Sequence, residues 1–535
     1  MNQMRTSKSH IAITLICILA IAATGLQSCS EEEEFTTSPN GELSFSQDTI
    51  SFDTIFTDVG SATKEFKVYN PNSKGVRLTS VRLGSNGSSG FRINLDGNYA
   101  TQFTDVEIYH KDSMFCFVEV TVDPSDSDSP TLITDSILFT MENGMTQKVM
   151  LEAYGQDVIV MSGQTISRDT TLASVRPIVV RDSLVVAKGA TLTIAPGTTL
   201  CFHKYSGLSV YGTLKAEGTQ EKPITMRGDR TDKLFTYLPY DRLDAQWEGI
   251  RLDPESHNNS FNYCDIHGGN YGIIADNDSL ADGLKYTVHN CKIHNVAGDA
   301  IFLQATRATL SNTQLSNAGG NCATVIGGTT EFTHCTLAQF YPWDATHGSA
   351  LYFANVYNSK EFPLTMIKFA NCIITGSSTD EVYGSRMQDS DAAFNYQFYN
   401  SLVNTVTTEA DEQYFISCKF DKEEKKSGYG SSASKARANG SYKAKANGLY
   451  KANGLYKANS KSTDGENSDE EIVRGANFRT IDNSVYFYDF RLDSLSAARG
   501  LGDASLTPDD CKVDMNGVKR PANNPDAGCY QYEKE

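Results

Sequence analysis

The chain reads as an all-β protein, a β-sandwich followed by a right-handed parallel β-helix of the solenoid kind, and two patterns predict it. From Gly41 to about Asp157, apolar and polar residues alternate in short runs such as Phe66-Lys67-Val68-Tyr69 and Phe115-Cys116-Phe117-Val118, separated by turn clusters such as Asn70-Pro71-Asn72-Ser73. About seven short strands at this spacing make a sandwich. From about Ser162 short β runs end at Gly or Pro corners, and one element then recurs: Tyr263-Cys264-Asp265-Ile266, Asn290-Cys291-Lys292-Ile293, Asn312-Thr313-Gln314-Leu315, His334-Cys335-Thr336-Leu337, Asn371-Cys372-Ile373-Ile374 and Asn400-Ser401-Leu402-Val403. The steps between second positions are 27, 22, 22, 37 and 29 residues. A base period near 22 with insertions marks stacked coils, each about 4.8 Å from the last.

The residue types fit coil corners. Asn tolerates the left-handed backbone, and its amide can reach the Asn one coil away. Cys264, Cys291, Cys335 and Cys372 are small enough to stack in a narrow interior as a buried thiol ladder, with a disulfide between adjacent coils as the alternative. Trp247, in Trp-x-Gly-Ile, opens a coil and is expected in the core.

The predicted segments are an export signal over 1–28, an acidic tether over 29–40, the sandwich over 41–157, the β-helix over 162–420, a low-complexity insertion over 421–471, and the end and cap of the helix over 472–535. The insertion repeats Ala446-Asn447-Gly448-Leu449-Tyr450-Lys451 as Ala452-Asn453-Gly454-Leu455-Tyr456-Lys457 and is poor in apolar residues, so disorder is expected. Its regularly spaced Tyr and Lys could grip a partner, or the repeat could be an expanded linker.

Arg5 and Lys8 precede a thirteen-residue apolar run, Ile11–Ala23, which is too short to span a bilayer and therefore reads as a signal peptide. Leu26-Gln27-Ser28-Cys29 resembles a lipobox, which implies lipidation of Cys29. Ser30 followed by Glu31, Glu32, Glu33 and Glu34 resembles the acidic signal that sends Bacteroidetes lipoproteins to the cell surface. Attachment to the outer membrane through the lipid, with surface exposure, is the implied location. Phe52-Asp53-Thr54-Ile55-Phe56 with Lys67-Val68-Tyr69-Asn70-Pro71 resembles the immunoglobulin-like spacer modules of such lipoproteins. The ending, from Phe490-Arg491-Leu492-Asp493 to Pro525-Asp526-Ala527-Gly528-Cys529-Tyr530, is similar to the closing cap of bacterial parallel β-helix proteins. Taken together, the resemblance is to Bacteroidetes surface lipoproteins with a right-handed parallel β-helix, a family without an agreed activity.

A net charge of -18 argues against nucleic acid as a partner and against a polyanion drawn in by bulk charge; a neutral glycan or a surface protein fits better. Of twelve cysteines, Cys17 and Cys29 fall in the signal, and the rest form no CxxC pair. Neither a metal nor a cofactor is expected, and no residue is assigned a catalytic role. The acidic candidates for chemistry on the helix face are Asp265, Asp276, Asp278 and Asp299, with Lys292 and Arg307 as basic partners. Asp299 occupies a slot that Glu248 and Tyr271 also fill, which makes it a corner residue first. His267 and His294 each lie three residues past the repeated Cys and should stack; the next coils offer Ser316 and Ala338, so no third metal ligand is expected in register.

The longest step carries Tyr341, Trp343, Tyr352 and Tyr357, rings suited to a sugar face or a protein contact, or to packing the loop onto the helix. Eight Asp-Ser/Thr tripeptides resemble the sequon for O-glycosylation in Bacteroidetes, which would place glycans on Thr49, Thr54, Ser113, Ser136, Thr170, Ser183, Ser279 and Ser494. The leading functional expectation is a surface protein that displays a binding face for a glycan or protein. The alternatives are a polysaccharide lyase or glycoside hydrolase on the same scaffold, and a structural envelope lipoprotein.

Overall fold

The computed structural model describes residues 34–38, 41–57, 59–276, 283–406, 411–421 and 475–534. The signal peptide, Cys29, Asp278, Ser279 and all of the low-complexity insertion except Asp421 lie outside the described residues. The chain divides into two compact units, residues 1–158 and 159–535. All long-range order in both comes from strands; the only helices among the described residues are single 3-10 turns.

The first unit is built from two sheets. Ser44–Phe45, Lys64–Tyr69, Ser113–Val120, Phe91–Leu95 and Asn98–Ala100 pair antiparallel in that order. The second sheet runs Thr49–Phe56, Thr146–Gln156, Thr131–Met141, Val76–Leu83 and Gln102–Phe103, with the first pair parallel. Alternation does the work it should: Cys116, Val118 and Val120 turn inward from one strand, and Ile137 and Phe139 face them from the other sheet, in one apolar cluster. Phe66 meets Phe139 edge to face at 6.4 Å. Each such side chain contributes about 1.5–3 kcal/mol by leaving water.

The second unit is a coil with three strands per turn, stacked into three parallel walls. The first wall includes Asn259–Asn262, Leu284–His289, Arg307–Ser311, Gly328–Thr333, Leu364–Ala370 and Phe394–Tyr399. The second includes Cys264–His267, Lys292–Val296, Gln314–Ala318, Thr336–Gln339 and Ile373–Gly376. The third includes Ile250–Leu252, Ile273–Ala275, Ile301–Gln304, Ala323–Ile326, Leu351–Ala354 and Val382–Ser385. Because parallel coils keep register, like side chains stack on like. Ile266, Ile293, Leu315, Leu337, Ile374 and Val403 form one fully buried row. Phe332, Phe369, Phe398 and Phe415 form another, with ring centroids 4.4, 5.0 and 4.7 Å apart and nearly parallel planes.

The corner between the first and second walls explains the recurring element. Tyr263, Asn290, Asn312, His334, Asn371, Asn400 and Ser417 all have positive φ, between 45° and 57°. The following residue in each coil is Cys, Thr or Ser, and its thiol or hydroxyl donates to the carbonyl two residues earlier: Cys291 to His289 at 3.0 Å, Thr313 to Ser311 at 2.8 Å, Cys372 to Ala370 at 3.2 Å, Ser401 to Tyr399 at 2.7 Å. The same atom accepts the backbone N–H of its counterpart one coil back, as Ser401 Oγ does from Cys372 N at 3.0 Å. Cys264, Cys291, Cys335 and Cys372 are buried free thiols, which excludes the disulfide alternative here. They do more than fill space, since Thr and Ser replace them by virtue of a donor of similar size.

The corner amides differ from expectation. Asn371 Nδ2 does approach His334 Nε2 at 3.1 Å. The larger use of the row, however, is to hold the C-terminal segment, which runs back along it as a strap. Asn400 donates to Leu501 O at 3.2 Å, Asn371 to Asp503 O at 2.9 Å, and Asn312 to Val513 O at 2.8 Å, while His334 Nε2 lies 2.8 Å from Thr507 Oγ1. Asp503 N returns a bond to Asn371 Oδ1 at 2.8 Å, and the buried Arg520 guanidinium donates to Asn312 Oδ1 at 3.0 Å. The strap and the hairpin of Phe478–Asp482 with Phe487–Leu492 cover the outer face of the second wall, burying Ile373 and Leu402 against Leu492, Ala497 and Ala527.

Asn371→Ala removes a residue suited to left-handed backbone together with its strap bonds. We expect it to destabilise by about 2–4 kcal/mol in urea unfolding, whereas Asn358→Ala, at an exposed left-handed turn (φ 47°), is expected to cost about 1 kcal/mol. Equal losses would show that the strap bonds contribute nothing.

Candidate functional site

The strap leaves one stretch of the second wall accessible. Inward Ile266 and Ile293 force their neighbours outward, because strand side chains alternate, so Asp265 and His267 share one outer face with Lys292 and His294 of the next coil. Register pairs Asp265 with Lys292 and His267 with His294. The two imidazoles stack at 4.9 Å and 20°. Asp265 Oδ1 lies 2.7 Å from His267 Nδ1 and 3.1 Å from His294 Nε2. On its other side, His267 Nε2 lies 2.9 Å from Asp241 Oδ1, which in turn meets Arg227 Nη1 at 2.5 Å. Trp247 stacks on Phe202 in the core at 4.3 Å, as its place in the coil predicted, and its indole N–H donates to His267 O at 2.8 Å.

These contacts set the charges. Burial opposes ionisation of Asp265, yet His267 and His294 outweigh it and hold the carboxyl well below the usual range. Burial likewise works against a charged His267, but Asp265 and Asp241 raise it to about 9. Asp241, despite its own desolvation, is held down to about 2 by the His267 bond and the nearby His267 and Arg227 charges. His267 is thus an imidazolium between two carboxylates at neutral pH.

A cleft of about 470 Å³ opens beside this cluster, between the second wall and the C-terminal hairpin. Asp265, Lys292 and His294 line one side, and Tyr486, Tyr488 and Arg491 the other. Arg242 joins the lining and ties the hairpin down through Nη1 to Val485 O at 2.6 Å.

The sequence-derived candidates fall into three groups. Asp265, Lys292, His267 and His294 come together. The missing third partner of the histidines is Asp265, two residues before His267 on the same strand; the Asp-x-His spacing carried the signal, and looking only along the stacking direction missed it. Asp241 arrives from a loop whose course no local pattern announces. Asp276 is instead paired with Arg251 at 2.5 Å, Arg307 is exposed on the first wall, and Asp299 accepts Asn321 N at 2.6 Å at a corner where burial pushes its carboxyl up to about 6.

The aromatic candidates do not enter the cleft. Trp343 stacks on Tyr486 at 4.2 Å and so braces the hairpin, and the Tyr341 hydroxyl donates to Asp244. Tyr357 packs edge to face on Phe302 at 5.6 Å. Tyr352 lies on the third wall between Thr324 and the exposed Tyr383. Among the sequon hydroxyls, Ser113 and Ser494 are exposed, and Thr49, Thr54, Ser136, Thr170 and Ser183 are half-buried. The Asp135 carboxylate beside Ser136 is occupied by Ser85.

Residues 180–338 match the family described as "Right handed beta helix region". The coiled unit is a right-handed β-helix. The match takes in every residue of the Asp265–His267–His294 cluster. Over 91 residues the chain is 36% identical to Protein bark beetle of Drosophila melanogaster, a stretch that is 17% of this chain and 3% of that protein. Among solved structures, a family 123 glycoside hydrolase from Clostridium perfringens aligns at 12% identity over 21% of this chain and 25% of that one. The ASH / PapD-like domain of human CEP192 aligns at 10% identity over 23% and 89% respectively. With TM-scores of 0.16, neither likeness bears on fold or activity.

Because His267 is raised from 6.5 to about 9, its stabilising contribution is complete below pH 6.5 and lost as pH rises through about 9. Asp241, lowered to about 2, contributes above 3.8 and loses that contribution toward acid. The cluster therefore stabilises most between pH 3.8 and 6.5. In metal-free buffer, wild-type stability is expected to fall by up to roughly 3 kcal/mol from pH 6.5 to above 9, a drop that His267→Asn lacks; parallel pH profiles would contradict the assignment.

Proposed function

We propose that the protein is a surface-exposed, lipid-anchored outer-membrane lipoprotein that binds a glycan in the cleft between the second wall and the C-terminal hairpin. The observation that carries this reading is the lining of that cleft, where Arg242, Lys292 and Asn295 offer hydrogen-bonding groups beside the rings of Tyr486 and Tyr488. Sugars are held in this way, by polar groups that fix orientation and by aromatic surface under the apolar ring face. Tyr352 and Tyr383, in register on adjacent strands of the third wall, add aromatic surface outside the cleft. The first unit, two sheets around one core, fits an immunoglobulin-like spacer that holds the coil away from the membrane. Ser113 and Ser494, exposed within their sequons, are the sites best placed for O-glycosylation.

A second reading, a polysaccharide-active enzyme, is favoured by the placement of Asp265 and His294 on the cleft wall, where a carboxylate and an imidazole could move a proton. The two readings separate in one experiment. The purified protein is screened against neutral and acidic polysaccharides for binding and for release of shorter products. Binding without product, weakened at least tenfold by Tyr488→Ala or Lys292→Ala, is the expected outcome; product release abolished by His294→Ala would replace binding with catalysis.

The anchor has its own test. Cys29→Ser is expected to move the protein from the membrane fraction to the soluble fraction and to end incorporation of labelled palmitate. Unchanged membrane association would refute lipid anchoring at Cys29.

A further inference from the structure

We propose that Asp265, His267 and His294 form a binding site for a divalent transition metal of the zinc class, with one coordination position open to the cleft. The three side chains each offer one ligand atom, and these atoms lie within 4.8 Å of one another. Two imidazole nitrogens converge on one carboxylate oxygen, at 2.7 and 3.1 Å. Metal–ligand bonds of roughly 2.0–2.1 Å at the tetrahedral angle set donor atoms about 3.3 Å apart, so an ion is admitted once the two carboxylate–imidazole contacts open by about 0.6 and 0.2 Å from 2.7 and 3.1 Å. Asp265 and His294, which line the cleft, supply these shifts around the buried His267.

Three further features fit a metal. The donor set, two imidazoles and one carboxylate, is one that zinc takes with a water or substrate in the remaining position, and binding releases the His267 Nδ1 proton to solvent while Nε2–H stays on Asp241. His267 already has the outer support that metal-bound histidines use: the nitrogen facing away from the cluster lies 2.9 Å from Asp241, and Arg227 fixes that carboxylate. The scaffold is also stiff, because His267 and His294 sit in register on adjacent parallel strands and the His267 carbonyl is held by Trp247. Asp265 and His294 line the cleft, so the open position faces the space a ligand would enter. Lys292, in register with Asp265 on the same face, opposes metal entry from the cleft side, where Arg242 and Arg491 also line the cleft. The nitrogen-rich set favours zinc, cobalt or nickel over calcium or magnesium, which prefer oxygen.

The inference is independent of the glycan reading, and its test uses metal alone. The full chain, stripped with chelator, is titrated with Zn²⁺ by calorimetry and with Co²⁺ by visible absorption. One equivalent is expected to bind, and the cobalt spectrum is expected to lack the near-ultraviolet thiolate band that any of the ten described free cysteines would produce. His294→Ala and Asp265→Asn should each weaken binding at least a hundredfold, and Asp241→Asn roughly 10–100-fold, while Lys292→Ala binds as tightly as wild type or tighter. His294, partly exposed at the edge of the cluster, is the variant that tests the site without threatening the fold; its circular dichroism and urea midpoint are measured alongside. Absence of stoichiometric binding, a thiolate band, or undiminished affinity in folded His294→Ala would overturn the proposal. Glycan binding measured in the stripped protein would persist if only the metal inference fails.

Discussion

Everything in the coiled unit depends on the hydrogen bonds between successive coils. A parallel ladder satisfies the backbone only if each coil turns its corners at the same positions as the one before. The left-handed corner from Tyr263 to Ser417 is the point where that demand is met, because it reverses the chain sharply enough to leave both flanking strands in register. The thiol and hydroxyl row that follows supplies donors and acceptors where the ladder is interrupted by the bend. Burial keeps these thiols protonated by pushing Cys264 and Cys335 well above their ordinary range, so they remain donors.

The same constraint creates the site. Register forces any outward residue to stand directly over its counterpart in the next coil, at the strand spacing. On an apolar row this gives the stacked phenylalanines; on a polar row it gives His267 over His294 and Lys292 beside Asp265. A charge on such a row is costly unless a neighbouring coil or loop compensates it. Here Asp265 and Asp241 compensate His267 from either side, and the cluster lies at the margin of the strap and hairpin that elsewhere cover the second wall.

The strap converts a regular surface into a shaped one. Its contacts with Asn312, His334, Asn371 and Asn400 use a row of equivalent corner positions as anchoring points, and the hairpin it carries supplies Tyr486, Tyr488 and Arg491 to the far side of the cleft. Trp343 and Arg242 hold that hairpin from the coil side. The long aromatic insertion thus acts on the cleft by positioning its roof.

Much of the architecture was legible in the residues alone. The period near 22, the Asn-Cys element and the alternation in the first unit are local patterns, and a repeat that must bury one face and bend at one point writes both requirements into every copy. The pairing of His267 with His294 was legible for the same reason, since register follows from the period. What the sequence could not determine is which distant segment covers which coil. Asp241, Arg227, Tyr488 and the strap reach the second wall through loops and a C-terminal excursion that obey no repeat, and their positions depend on packing across hundreds of residues of chain. The coil is therefore a property of its local sequence, whereas the cleft, the charge on His267 and the occupied state of Tyr341 and Trp343 exist only once the non-repeating segments have packed against it.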